Sequence, residues 1–148
     1  MNEINFYRKS HEYGFLSNFW PSPMRLYNQM YPTNEHFYQS RKTIIDDFGD
    51  WIRNAPTPYL AMKAGRALRM DKDEMWPQWD TIKFDIMEIG LRAKFTQNPD
   101  LKEKLLATGD AILHEDSPND MVWGKKGQDM LGKLLMKIRS ELRGDSNK

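Results

Sequence analysis

Apolar residues recur at helical spacing along much of the chain, and this pattern predicts most of the secondary structure. Met87, Leu91 and Phe95 recur every four residues, which predicts a long helix from about residue 81 to residue 97. The same spacing predicts a final helix that contains Leu131, Leu134, Leu135, Ile138 and Leu142. These apolar stripes are expected to face the core.

Capping residues indicate where the other helices begin. Thr33 is a good N-cap, so a helix is expected from about residue 34 to residue 48. Its core face should hold Phe37, Ile44 and Phe48, and a short helical piece is expected around Trp51. Two further helices are predicted after the cap-and-proline pairs Thr57-Pro58 and Asn98-Pro99.

Strand signals are few. Prolines punctuate the irregular or short-stranded stretch before residue 33, "AILHED" predicts a strand, and a loop is expected over residues 117–128. The expected fold class is therefore mainly α: a single compact helical domain with a few short β-strands over residues 1–142. Residues 143–148 are expected to form a flexible tail.

Composition narrows the class of protein. The 148 residues are 39% hydrophobic and 29% charged, which is typical of a globular chain. No apolar run approaches the roughly 20 residues that cross a bilayer, and the first residues lack a signal-peptide pattern, so a cytoplasmic protein with no membrane partner is expected. The absence of cysteine excludes disulfides and thiolate sites. A net charge of +1 argues against a stable nucleic-acid partner.

Polar residues of the first predicted helix form the first candidate site. Glu35, Gln39 and Lys42 are spaced four and three apart and share one helix face. That face is either a site or the solvated side of an amphipathic helix. Glu35 also suits the first turn for a simpler reason, because a carboxylate there stabilises the helix dipole.

Two shorter segments add candidates. In "GFLSNF", Ser17, Asn18 and Phe19 combine hydrogen-bonding groups with an aromatic ring, a pairing that suits a flat heterocycle, although an ordinary turn explains it too. Gly65 interrupts a predicted helix, which indicates a close approach. The neighbouring Arg66 either grips a phosphate or is simply exposed to solvent.

The last candidate segment is the acidic loop "EDSPNDMVWGKKGQD". Asp120 or Glu115 could act as an acid or base, and Gly124 and Gly127 could turn backbone amides toward an anion. An acidic surface loop is the simpler alternative. No metal site is expected, since His11, His36 and His114 form no ligand-spacing pattern.

Taken together, these segments resemble the NADAR family (named for NAD and ADP-ribose), including its YbiA-like N-glycosidases. The resemblance rests on the following matches: Gly14-Phe15-Leu16-Ser17-Asn18-Phe19, Thr33-x-Glu35-His36-x-Tyr38-Gln39-x-x-Lys42, Ala64-Gly65-Arg66, Trp79-Asp80-x-x-Lys83, Ala93-Lys94-Phe95, Glu115-x-Ser117-x-x-Asp120-x-x-Trp123-Gly124 and Leu131-Gly132-x-Leu134-Leu135. Two departures are a short stretch before Leu131 and Asp129 in place of the usual asparagine, a carboxylate that would disfavour a nearby phosphate.

The resemblance implies hydrolysis of the bond between ribose C1 and an exocyclic amine, in ribosylaminopyrimidine intermediates of riboflavin synthesis or in ADP-ribosylated guanine. Lys42 would form a Schiff base, with Glu35 and Asp120 assisting; direct hydrolysis with Glu35 or Asp120 as base is the alternative route. The implied substrate-binding residues are Asn18, Phe19, Gln39, Arg66, Trp79, Trp123, Gly124 and Asp129. The substrate would be a small nucleotide-derived molecule or an ADP-ribosylated base, and no cofactor is expected. A non-catalytic module that binds NAD or ADP-ribose, and a purely structural domain, remain alternatives.

Overall fold

A computed structural model describes residues 2–8 and 12–145 of the chain. His11 and the end of the expected tail, residues 146–148, lie outside the described residues. The described part contains six α-helices and four short strands, so the mainly α fold class is confirmed. None of the described helices combines the length and the apolar composition that crossing a bilayer requires.

The contacts divide the chain into two compact units, Met1–Trp20 with Phe95–Lys148, and Pro21–Lys94. In the first unit, strand β1 (Glu3–Phe6) pairs in parallel with β4 (Ile112–Glu115), which confirms the strand predicted in "AILHED". Helices α5 (Pro99–Ala107) and α6 (Met130–Arg143) pack together, and α6 also packs on β4. Gly132 makes this approach possible, since a Cβ there would overlap the Leu113 carbonyl.

The second unit begins with an antiparallel hairpin of β2 (Met24–Leu26) and β3 (Gln29–Tyr31). Its helices are α1 (Asn34–Ser40), α2 (Asp46–Arg53) and α3 (Pro58–Arg66), and α1 packs on both of the others. The long helix α4 (Trp79–Gln97) starts in this unit and matches the predicted one closely. Its predicted stripe of Met87, Leu91 and Phe95 is buried.

The helix expected over residues 34–48 is wrong in one respect, because α1 ends at Ser40. Thr43 causes the break: its hydroxyl donates to the Glu74 carbonyl over 2.6 Å and accepts from the Ile45 amide over 3.0 Å. Such side-chain bonds to the backbone compete with helical ones. As a result, Ile44 and Phe48 are 40% and 36% exposed and do not join the core face that Phe37 occupies.

Candidate active site

Helix α1 turns its polar residues into the protein. The Thr33 hydroxyl accepts from the His36 amide over 3.1 Å, which is the predicted cap, and every residue of α1 is buried. Glu35 is 7% exposed and Gln39 is 4% exposed. The solvated-face interpretation of Glu35 and Gln39 is therefore wrong. Burying a carboxylate is costly in free energy unless other groups compensate its charge.

A hydrogen bond joins the two buried polar side chains. Gln39 Nε2 donates to Glu35 Oε2 over 2.8 Å. The Gln39 side chain lies directly on Gly65 of α3, where an added Cβ would overlap Oε1 and lie 2.9 Å from the Gln39 Cβ. The close approach predicted at Gly65 is confirmed, and Gln39 is the side chain that requires it.

Lys42 lies two residues beyond the end of α1 and is half-buried. Its carbonyl accepts from the Trp76 amide over 3.0 Å, and its Nζ lies 5.5 Å from the centre of the Tyr38 ring. Burial lowers the pKa of the Lys42 amine to about 8. The Glu35 charge opposes this shift by raising the pKa, and two cations, Arg66 and Lys83, lower it further.

The second unit thus gathers five of the residues predicted for the site around α1: Glu35, Gln39, Lys42, Arg66 and Trp79. Arg66 is the exposed last residue of α3, and Trp79 is buried at the start of α4 with its ring 5.2 Å from that of Tyr38. Tyr38 and Lys83 were not singled out as site residues. The signal for Tyr38 is its position four residues before Lys42, because such pairs meet on a helix and the predicted helix over residues 34–48 includes both.

The first unit holds the remaining predicted site residues, beginning with Asn18 and Phe19. These two half-buried residues follow a 3-10 turn at Gly14–Leu16, and the Phe19 amide donates to the Ser17 hydroxyl over 3.1 Å. The guanidinium carbon of Arg8 lies 5.8 Å from the Phe19 ring centre. The segment is an ordered turn with a flanking aromatic ring, and its contact with a ligand stays a prediction.

The acidic loop is organised by Asp120. One carboxylate oxygen accepts from the amides of Val122 and Trp123 over 2.9 and 2.8 Å, which holds the buried Trp123 in place. Gly124 packs against this turn, because a Cβ there would lie 2.6 Å from the Asp120 carbonyl oxygen. The Gly127 amide itself donates to the Gly124 carbonyl over 3.1 Å, and anion binding by the other amides of this loop stays a prediction.

Glu115 is the titratable group of this loop with a perturbed pKa. Burial raises the pKa of its carboxyl to about 7, a hydrogen bond from Ser117 opposes the rise, and the charges of Asp120 and Asp116 add to it. A carboxyl that titrates near neutrality is suited to proton transfer. Among the described residues, no group of three or more histidine, cysteine or acidic side chains is arranged to hold a metal ion.

Asp129 occupies an unusual backbone position at the start of α6. Its φ of 59° lies in the left-handed region, which asparagine and aspartate tolerate better than most residues. Its Oδ2 accepts from His114 Nδ1 over 2.6 Å, and the other ring nitrogen of His114 lies 3.2 Å from Glu3 Oε1. Asp129 therefore has an internal partner that sequence reasoning missed.

Comparison with known proteins identifies relatives over nearly the whole chain. The chain is 38% identical over 144 residues to the N-glycosidase YbiA of Escherichia coli K12, covering 94% of this chain and 88% of that protein. It is 36% identical to the N-glycosidase Npun_R5314 of Nostoc punctiforme, covering 95% and 92%. It is also 36% identical to the riboflavin biosynthesis protein VVA0006 of Vibrio vulnificus, covering 94% of this chain and 38% of that longer protein.

The fold has a solved counterpart. The NMR structure of E. coli YbiA superposes with a TM-score of 0.86 at 34% identity, over 99% of this chain and 90% of that one. The NADAR domain model matches residues 5–143, a range that includes every predicted site residue. The comparisons confirm the expected class of activity, hydrolysis of an N-glycosyl bond. The chain belongs to the NADAR family.

Proposed function

We propose that this N-glycosidase cleaves the bond between ribose C1 and an exocyclic amine of a base, and that Lys42 attacks C1. The observation that carries the proposal is the setting of Lys42. It is a half-buried amine with a lowered pKa, and its neighbours are the Tyr38 ring and the charged groups Glu35, Arg66 and Lys83. The N-glycosidase relatives indicate the bond type, and the setting of Lys42 supports its proposed role as the nucleophile.

Burial prepares Lys42 for nucleophilic attack, which requires the neutral amine. With a pKa of about 8, about a quarter of the Lys42 amines are neutral near pH 7.5, against about one in a thousand for a lysine with the ordinary pKa. Arg66 and Lys83 contribute to this, since nearby cations disfavour a further positive charge. The site therefore supplies a usable nucleophile at neutral pH.

The proposed reaction proceeds through two imines. The substrate's ribose ring opens as the C1–O4′ bond breaks: O4′ gains a proton and becomes a hydroxyl, and the exocyclic nitrogen loses its proton and forms an imine with C1. The Lys42 amine adds to C1, and the base departs as a free amine, leaving an imine between C1 and Nζ. Water then adds to C1 and breaks the C1–Nζ bond, which releases the sugar and restores the lysine. Glu35 would accept the Nζ proton during attack and return it to the departing amine.

A second buried lysine does not fit this role. Burial lowers the pKa of Lys94 even further, to about 7, but its side chain is 0% exposed. A nucleophile must reach C1 of a bound sugar, so access matters as much as protonation. Lys42 combines the two requirements, whereas Lys94 meets only one.

The proposed binding roles follow from residue chemistry. Arg66 would pair with a phosphate of the substrate, and Trp79 would support the aromatic wall that Tyr38 forms over Lys42. The remaining proposed substrate contacts are Asn18, Phe19, Trp123, Gly124 and Asp129, with Asp120 assisting ring opening or activating water; the buried Gln39 would act through Glu35 instead. We further propose a small nucleotide-derived substrate in the cytoplasm, either a ribosylaminopyrimidine intermediate or ADP-ribosylated guanine.

The deciding experiment is a release assay on a panel of ribosylated substrates, with the freed base identified by chromatography and mass spectrometry. The proposal expects base release from at least one ribosylamine, and borohydride should trap the sugar on Lys42 by reducing the imine to a secondary amine. Release without a trapped adduct would favour direct hydrolysis with Glu35 or Asp120 as base. Binding of ADP-ribose in calorimetry without release of any base would instead favour a binding module.

A further inference from the structure

The contact between Gly65 and Gln39 adjoins Glu35, the buried carboxylate of the Lys42 site. Gln39 is 4% exposed and packs flat on Gly65, in the last turn of α3. Glycine in a helix interior costs stability relative to alanine, so its presence there needs a structural reason. An ideal Cβ at Gly65 would lie 2.8 Å from the Gln39 Cδ, which leaves space for a hydrogen atom only.

Hydrogen bonding fixes the orientation of the Gln39 amide. An ionised carboxylate only accepts hydrogen bonds, so the Gln39 NH₂ group must face Glu35 and its oxygen must face Gly65. Within the described part of the chain, this buried Gln39 oxygen has no hydrogen-bond partner. Leaving a buried acceptor unsatisfied is unfavourable. The arrangement thus gives up one hydrogen bond and retains the one to Glu35.

Charged groups from three helices act on the Lys42 amine. Glu35 of α1 favours the protonated form, and Arg66 of α3 and Lys83 of α4 favour the neutral form. Lys83 is itself 3.3 Å from Asp80, which screens part of its charge. Two successive residues in the last turn of α3 therefore influence the charge of Lys42. Arg66 acts directly through its own charge. Gly65 acts indirectly, through its contact with Gln39 and the hydrogen bond from Gln39 to Glu35.

We propose that Gly65 and Gln39 are positioning residues for the Lys42 site: Gly65 admits Gln39 against α3, and Gln39 holds the Glu35 carboxylate ionised and oriented toward Lys42. This inference rests on the proposed function in one respect, the role of Lys42 as the nucleophile. The chain of contacts from Gly65 to Glu35 is independent of any substrate. A substitution at Gly65 or Gln39 should weaken the hydrogen bond to the Glu35 carboxylate. A buried carboxylate that loses a donor is protonated more readily, so less negative charge would remain near Lys42.

The test measures the titration of Lys42 without substrate, from the pH dependence of its modification by an amine-reactive reagent read peptide by peptide in mass spectrometry. Gly65→Ala and Gln39→Leu should each lower the Lys42 midpoint by roughly one pH unit, in the same direction as Glu35→Gln. Both substitutions disrupt the same series of contacts, from Gly65 through Gln39 to Glu35. The double variant should therefore shift the Lys42 midpoint no further than either single variant.

Gly49→Ala is the matched control. It adds the same methyl group to a glycine of α2, where the nearest atom would be the Ser40 carbonyl oxygen at an ordinary 3.5 Å. Its Lys42 midpoint should equal that of the unchanged protein. An unchanged or raised midpoint in both Gly65→Ala and Gln39→Leu would overturn the inference, and Gln39→Leu keeps the test decisive if Gly65→Ala does not fold. Failure of the N-glycosidase proposal would appear separately, as absence of base release by the unchanged protein.

Discussion

The Nζ atom of Lys42 lies 5.5 Å from the centre of the Tyr38 ring, four residues earlier in the chain. The Tyr38 ring also packs against Trp79, whose ring centre lies 5.2 Å away. The charged groups Glu35, Arg66 and Lys83 also act on this amine. A ring supports the cation only weakly, and burial dominates, so the net result is an amine that loses its proton more easily than usual.

Replacing Lys42 tests the nucleophile directly. Lys42→Arg keeps the positive charge but cannot form an imine, so kcat/KM for base release should fall by at least about 100-fold, as when a catalytic group is lost. Borohydride trapping should disappear with it. The matched control is Lys63→Arg, since Lys63 also lies over a tyrosine one turn earlier, 5.6 Å from the Tyr59 ring, but is exposed. Undiminished turnover in Lys42→Arg would exclude the Schiff-base route.

The pH dependence of turnover should follow the Lys42 amine. Attack requires the neutral form, so kcat/KM should increase with pH through a midpoint of about 8 and level off above it. The rate should rise with pH because the neutral amine is the reactive form. Lowering the Lys42 pKa from 10.5 lets this form accumulate at a pH closer to neutral. Initial rates measured from about pH 6 to about pH 10 would give the midpoint of this increase. A midpoint near 10.5 would contradict the role of burial.

Stability should respond to the same shift. The Lys42 pKa is lowered on folding, so between pH 8 and 10.5 the unfolded chain binds the proton more often than the folded one. Lys42 therefore opposes folding most strongly below pH 8, and this destabilisation disappears as the pH rises toward 10.5. Lys42→Met should be more stable than the unchanged protein at pH 7 and nearly equal to it at pH 10.5. Urea unfolding at the two pH values would measure the difference.

Arg66 and Lys83 should separate substrate binding from control of the Lys42 charge. Removing either cation, in Arg66→Gln or Lys83→Gln, should raise the Lys42 pKa and move the pH midpoint of kcat/KM upward by a few tenths of a unit. Only Arg66→Gln should also raise KM, and only for substrates that carry a phosphate. Comparing phosphorylated and unphosphorylated ribosylamines would measure this. An equal rise in KM for both substrate types would refute phosphate pairing by Arg66.

Asp129 combines a strained backbone with a hydrogen bond to His114. Asp129→Ala should destabilise the protein by about 2 kcal/mol, roughly 1 from the left-handed backbone and roughly 1 from the lost hydrogen bond. Asp129→Asn should cost clearly less, because asparagine accepts both the conformation and the His114 N–H. Denaturant unfolding measures the stabilities. Equal costs for the two variants would contradict this account, and an altered KM in Asp129→Asn would support the proposed substrate contact.

The helices that sequence reasoning predicted well are those whose ends are fixed locally. The caps at Thr33 and Thr57 bind the amides three residues on, and the apolar stripe of α4 needs only the helical repeat to be recognised. The predicted helix over residues 34–48 failed because its end depends on a distant group. The Thr43 hydroxyl stops it by binding the Glu74 carbonyl, 31 residues away, and no local pattern reveals that partner.

The sequence by itself determined which residue types are available and where the helices begin, and its motifs identified the family. Tertiary structure alone decided the physical state of those residues. Spacing placed Glu35, Gln39 and Lys42 on one face but could not tell whether that face meets water or other helices. Packing of α1 on α3 buries Glu35 and Gln39, and removing water from the surroundings of Lys42 is what lowers its pKa. Desolvation depends on every neighbour at once, so it cannot be deduced from the order of residues along one helix.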